Sequence, residues 1–243
     1  MKKIFTFLTV LTYMAWPCLS FAARPLSMDD IGTVEERHIG IESGFEYVKQ
    51  PDEERNFSLV VKYGLTKNID IGMETPYQFI DFKESANVDG IGDVKLCTKY
   101  RFLEEGDLPG MALSFSIKTE SGDEEKGLGS GEADYSVTGL ITKEIGAFTT
   151  HLNLGYTFVG EPGDDNLLYG IALEYPLNES LNIVGEVAGE TVFDGDFDDN
   201  LFSGLLGANY SLNEIAALDL GIGFQISEAS PDYKIVAGLS LEL

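Results

Sequence analysis

The sequence is poor in cysteine and histidine, with two of each, and poor in positive charge, with 16 basic residues against 41 acidic ones. Each scarcity excludes something. Cys18 falls within the N-terminal leader described below, so Cys97 is the one cysteine of the mature chain, and an internal disulfide framework is ruled out. The formal charge of −25 becomes −27 once Lys2 and Lys3 leave with that leader. A chain of this sign repels nucleic acid and draws cations, so nucleic acid is no partner. With only His38 and His151 present, a histidine-activated hydroxyl has little to build on. Asn153 follows His151 by two residues, but no serine stands at the neighbouring same-face positions. The glycine clusters Gly90-Ile91-Gly92 and Gly127 to Gly131 precede no helix, so neither has the helix N-terminus that a phosphate or dinucleotide loop requires. The chain is expected to be no enzyme and to carry no cofactor.

Also missing beyond the leader is any stretch of the ~18 consecutive apolar residues that a spanning helix needs. The leader itself, residues 1–22, reads as a secretory signal peptide. Lys2 and Lys3 form a basic start, Ile4 to Trp16 is a short apolar run, and Ser20-Phe21-Ala22 offers small residues for cleavage. A mean hydropathy of −0.01 does not exclude a membrane protein, because barrel strands are half polar.

What the sequence has in abundance is alternation. From Asp93 the stretch DVKLCTKYRF sends Asp93, Lys95, Cys97, Lys99 and Arg101 one way and Val94, Leu96, Thr98, Tyr100 and Phe102 the other. A period of two marks a β-strand with one polar and one apolar face. Twelve such runs follow one another, at roughly 38–48, 56–65, 69–79, 93–103, 111–119, 134–143, 148–159, 168–175, 181–193, 201–211, 215–226 and 233–243. Most have about the 9–11 residues of a tilted transmembrane strand. Short connections such as Thr66-Lys67-Asn68 and Glu144-Ile145-Gly146 alternate with longer, mostly acidic ones such as Gln50 to Arg55 and Glu120 to Glu132. Aromatics gather near strand ends on the apolar face, among them Tyr47, Tyr63, Tyr77, Tyr100, Phe158, Tyr175 and Tyr233. Rings at both ends fit the two girdles of a membrane barrel better than a soluble core, where burial is deepest mid-strand. The expected fold is all-β, a twelve-stranded antiparallel transmembrane β-barrel of outer-membrane type over 38–243. Residues 23–37 form an N-terminal segment that either lies in the periplasm or plugs the barrel.

The polar face is then a lumen, and its charges are the candidate site. Lys95, Lys99, Arg101 and Lys118 form a basic stripe on two neighbouring strands. Glu42, Glu46, Glu74, Glu174 and Glu186, with Asp70 and Glu190, face it from others. Opposed signs across a narrow lumen would make a charge-selective constriction. Alternatively these charges pair between neighbouring strands and stiffen the wall, and Lys62, flanked by acidic strands, is the clearest such case. Asp194, Asp196, Asp198 and Asp199 around Gly195 present oxygens at a spacing that could hold Ca²⁺, but no bidentate Glu follows at the place a helical calcium loop demands. They and Glu120 to Glu132 are expected to be solvated, unstructured hairpin tips rather than cation sites.

Several stretches carry a resemblance. Arg24-Pro25-Leu26-Ser27 leads into Asp29-Asp30-Ile31-Gly32-Thr33, and Gly90-Ile91-Gly92-Asp93 runs on to Lys99-Tyr100-Arg101-Phe102. Lys118 to Asp123 is followed by Gly127-Leu128-Gly129-Ser130-Gly131 and Asp134-Tyr135-Ser136. On these the chain resembles the outer-membrane β-barrel "transporter" proteins related to the family named for the meta-pathway of phenol degradation. Glu120-Ser121 stands where that family usually has a proline before the loop glycine. The resemblance implies passage of small solutes, aromatic compounds among them, across the bacterial outer membrane.

The expected partners are outer-membrane lipid and lipopolysaccharide, the barrel-assembly machinery, and a small-molecule solute. Two functional readings stand: a channel or transporter for passive or facilitated passage, and a structural or adhesive barrel with a plugged lumen that acts through acidic, cation-binding loops.

Overall fold

The computed structural model describes residues 24–49, 53–81, 86–192 and 200–243. The leader at 1–22 and the cluster Asp194, Asp196, Asp198 and Asp199 lie outside the described residues. Alternation becomes thirteen strands: β1 Ile39–Lys49, β2 Glu53–Thr66, β3 Ile69–Asp81, β4 Val88–Ile91, β5 Lys95–Leu103, β6 Gly110–Lys118, β7 Asp134–Ile145, β8 Phe148–Phe158, β9 Asn166–Pro176, β10 Leu181–Val192, β11 Leu201–Asn213, β12 Ala216–Gln225 and β13 Tyr233–Glu242. Each pairs antiparallel with its neighbours, β1 closes on β13, and β3 pairs with both β4 and β5. Strands β4 and β5 are therefore two pieces of one stave, and the closed barrel has twelve staves. Apart from the outer side of the short β4, which pairs only with β3 at the long-loop rim, closure leaves no sheet edge, and closure is the one way strands can cross lipid with their backbone groups paired.

The fourth stave corrects one expectation. It does not run unbroken from Asp93: pairing lapses at Gly92–Val94, and β5 begins at Lys95. The freed Asp93 carboxylate accepts hydrogen bonds from the backbone N–H of Gly122 (2.8 Å) and of Ser130 (3.0 Å). Those bonds fold the β6–β7 connection down onto the rim. Glu120 to Glu132 is thus ordered rather than unstructured: it contains a 3₁₀ turn, Glu124–Lys126, and Leu128 is buried, while Glu124, Glu125 and Lys126 stay exposed as a solvated tip would.

Burial along the staves runs opposite to that of a soluble sheet. Leu154 is 60% exposed and Leu220 61%, with Phe57, Met73, Leu96, Phe115 and Ile222 also outward and exposed. On alternate residues Lys99, His151, Glu186 and Asp219 are buried. A continuous apolar belt of this kind would aggregate in water and is stable only against hydrocarbon. Rings ring the belt at both heights. Tyr47 contacts Tyr233 at the long-loop rim, and Phe148 contacts Tyr175 at the short-turn rim. The three register shifts among the described residues, at Gly64/Thr66, Arg101/Leu103 and Ser211/Asn213, all sit at the short-turn rim, where bulges bend strands into tight connections. Gly146 makes the β7–β8 turn with a φ of 67°, a value most side chains avoid.

Candidate functional site

Residues 24–37 precede β1 and turn into it at the short-turn rim, where Glu36 bridges to Gly64 and the Arg37 N–H donates to the Gly64 carbonyl. From there the segment rises into the barrel. Its hydrogen-bond partners sit on eight different staves, Gly64 on β2 and Asn209 on β11 among them, and a segment can touch eight staves only from inside. Both Ser27 N–H and Met28 N–H donate to the Glu186 carboxylate on β10 (2.8 and 3.0 Å), as does the Ser27 hydroxyl (2.7 Å). Asp29 exchanges a reciprocal pair of hydrogen bonds with the Asn153 amide on β8, each 2.8 Å. Lys99 Nζ on β5 donates to Asp29 Oδ1 (2.8 Å) and to the carbonyls of Asp30 and Gly32 (2.9 Å each). Val34 N–H donates to Asp70 on β3, Arg24 pairs with Asp219 on β12, and Arg24 also donates to the Ala237 carbonyl on β13.

Apolar side chains of the segment complete a mid-lumen core. Leu26 and Met28 pack with Ala172, Val184, Leu205 and Val236, and Ile31 packs with Ala112 and Leu140. Inside this core, burial drives the segment's carboxyls toward the neutral form and the Lys99 ammonium opposes it. The ammonium prevails at Asp29, which is held below the ordinary aspartate range, whereas Asp30, also repelled by Asp29, is raised above it.

The lumen differs on the two sides of this segment. On the short-turn side, a void of only about 20 Å³ lies among Gly32, Val34, Lys62 and Asp70. That is about one water. Two cavities of about 360 and 290 Å³ lie on the long-loop side, and a third of about 330 Å³ runs beside the segment from Glu74 and Lys95 to Asp70 and Lys99; all three touch Ser27. The largest has hydroxyls along β6 and β7 (Ser114, Ser116, Ser136, Thr138) and Leu168, Ala188 and Leu201 on the facing staves.

The ten lumen candidates divide between these regions. Glu42, Lys62, Glu74, Lys95 and Lys99 line one cavity together. Lys62 is paired with Glu42 at 2.7 Å, and Lys99 is held by the segment. Glu186 lies under the segment, and Glu46 faces the cavity beside β1 and β2. Three stand apart from that group. Arg101 donates to the Lys67 carbonyl in the β2–β3 turn (2.7 Å), Lys118 pairs with Asp134 at the opposite rim (2.5 Å), and Glu174 approaches His151 (3.5 Å). The basic stripe is therefore largely neutralised by the protein itself. Among the described residues Lys95 and Lys234 are the lumen cations without an ion-paired carboxylate, and both line the open cavities.

Reasoning from sequence passed over Arg24, Asp29, Asp219 and Asn153 as partners of one another, because their meeting depends on where the segment lies. A signal was available in the inward-facing glycines of several strands, which leave room that strands normally fill. A second constellation was missed for the same reason. The Thr142 hydroxyl on β7 lies 2.9 Å from Nδ1 of His151 on β8, and Glu174 on β9 completes a hydroxyl–imidazole–carboxylate row across strands. Thr142 and His151 are buried and line none of these cavities, so the row holds the wall rather than reaching a solute.

Residues 34–243 match the family described as "putative MetA-pathway of phenol degradation". The chain belongs to this family. The match covers the barrel and begins after Arg24–Thr33. A search of the curated proteins gives no match. Among solved structures, the NanC porin aligns with a TM-score of 0.61 at 10% identity, over 84% of this chain and 100% of that one. The KdgM porin aligns at 0.58 and 9%, over 83% and 98%. The CymD monoaromatic hydrocarbon channel aligns at 0.50 and 8%, over 86% and 88%. At such identities the likeness is one of fold: this phenol-degradation family member has the closed β-barrel of the porins.

Proposed function

We propose that this protein is an outer-membrane channel for small solutes, with the water-filled long-loop half of the lumen as its entrance. The observation that carries this is the inverted polarity of the wall joined to cavities lined by hydroxyls and unpaired charges. A barrel that served only as a wall would have no use for exposed Lys95 inside its lumen. Glu46, Glu74 and Glu190 outnumber Lys95 and Lys234 around these cavities, so the entrance favours cations and neutral molecules. The hydroxyl wall facing an aliphatic one suits small amphipathic molecules. The family's description, and the printed name of the CymD channel, make small aromatic compounds the first class to try.

Planar bilayers under a KCl gradient test this reading. Discrete openings with a cation-selective reversal potential are expected from the full mature chain. A second reading, a closed structural barrel, draws on the segment that fills mid-lumen, and it predicts a folded barrel that stays silent under all conditions.

A further inference from the structure

Residues 24–33 occupy a seat that the wall is shaped to give them. At four inward positions a side chain would collide with the segment. A Cβ on Gly207 would stand 2.6 Å from Cγ of Pro25, on Gly221 3.1 Å from its Cβ, on Gly170 2.5 Å from Sδ of Met28, and on Gly110 2.1 Å from Cδ1 of Ile31. Glycine weakens a strand, so four of them on four staves against one segment fit a close contact there, while the Leu220 and Val187 carbonyls, 2.7 and 2.8 Å from a Cβ on Gly207 and Gly170, press on two of the same positions. The seat also supplies matched polar groups: an acceptor at Glu186 for two successive N–H groups, an amide at Asn153, and a cation at Lys99.

The way the segment is held matters as much as the fit. Above the Glu36–Gly64 bridge, none of its backbone groups pairs in a β-ladder, and its polar contacts with the wall run mainly to side chains such as Glu186, Asn153 and Asp70. Water from the adjoining cavity can replace each of these bonds. Leaving the seat therefore breaks no strand pairing, and the segment stays tethered through Arg37 to β1. Local opening of this kind is cheap compared with opening the barrel.

We propose that the mid-lumen is a binding site for the chain's own residues 24–33, and that this segment is a tethered, displaceable stopper of the solute path. The proposal rests on the channel reading above. It explains why the largest of the polar cavities ends on Ser27 and Met28, and why the one that passes beside the segment narrows to about 20 Å³ among Lys62, Asp70 and Lys99. Solute passage then requires the segment to leave, and anything that holds it in place closes the channel.

The test uses the mature chain, residues 23–243, with Cys97→Ser to remove its one native thiol. Pro25→Cys with Gly221→Cys places two thiols on carbons 3.1 Å apart, close to the ~3.5–4.5 Å that disulfides use. In planar bilayers the oxidised protein should carry at least about tenfold less current than the same protein after reduction. The companion variant Gly207→Leu with Gly221→Leu fills the seat without a cross-link and should conduct several-fold more than the parent chain. Heat-modifiable gel migration confirms that each variant is a folded barrel.

Measurable current that is equal before and after reduction, or a conducting seat-filled variant that gains nothing over the parent chain, overturns the stopper. A folded double-cysteine variant that forms no cross-link also overturns it, because Pro25 is then not against Gly221. If the cross-link forms yet even the seat-filled barrel stays silent, the channel reading itself has failed.

Discussion

The two halves of one lumen obey different rules. In the long-loop half, inward residues are short hydroxyls and charges that face open cavities, and Lys95 is exposed although it points inward. At mid-height the same alternating strands deliver Leu140, Leu205, Lys99 and Glu186, every one buried, against a segment from elsewhere in the chain. The backbone pattern is identical in both. What differs is whether a second piece of chain arrives to desolvate the inner face, and that alone converts charged lumen residues into elements of a core. A charge in the first region is a matter of selectivity, and in the second of stability.

This comparison can be broken most directly at Lys99. Lys99→Met takes the donor from half-buried Asp29 and from the Asp30 and Gly32 carbonyls, and a loss of about 2–4 kcal/mol is expected, limited by the ease with which the segment leaves its seat. It would be read as a lower urea midpoint for unfolding in detergent; a change below about 1 kcal/mol would mean that mid-lumen is as forgiving as the entrance. Comparable in size is the outer wall, a control for both halves. Leu154→Arg places a charge on the lipid face near mid-strand and should cost about 2–4 kcal/mol of barrel stability in bilayers, while leaving a detergent-solubilised barrel much less affected.

A smaller effect belongs to the rim of the entrance. Asp93→Ala removes the acceptor that holds Gly122 and Ser130, worth about 1–3 kcal/mol locally. Limited proteolysis should then cut within 119–133 much faster while the barrel remains folded, and unchanged cutting would show that the loop folds without its anchor. Smallest in stability are the entrance charges. Lys95→Gln and Glu74→Gln should leave the unfolding midpoint where it was. They should move the reversal potential in opposite directions, Lys95→Gln toward cations and Glu74→Gln away from them. A midpoint that falls in either variant would place the entrance under the same rules as mid-lumen.

Much of the fold was legible because it is written with a period of two. The β8 run from Phe148 to Phe158 assigns each residue to a face without knowledge of any partner, and its length and the turn chemistry of Glu144-Ile145-Gly146 set its ends. The same logic placed Glu42, Lys62 and Lys95 on the inner face. It failed at Asp93, where a loop 29 residues away competes successfully for the carboxylate and the strand breaks. It also left open whether the charges on the inner face meet solute or one another. Glu186 and Lys95 look alike in sequence, each a charged residue in an alternating run, yet one is 6% exposed and bound to Ser27 and Met28 while the other faces water.

By itself, then, the sequence determined the number of staves, the antiparallel order of strands, the lipid-facing belt and the identity of the inward row. These depend on local alternation and on connection length, which are properties of neighbouring residues. The tertiary structure alone decided which inward charges are buried, because burial depends on a segment more than 150 residues from Glu186 finding the space that Gly170, Gly207 and Gly221 leave. Long-range desolvation has no period, and no run of residues announces it in advance.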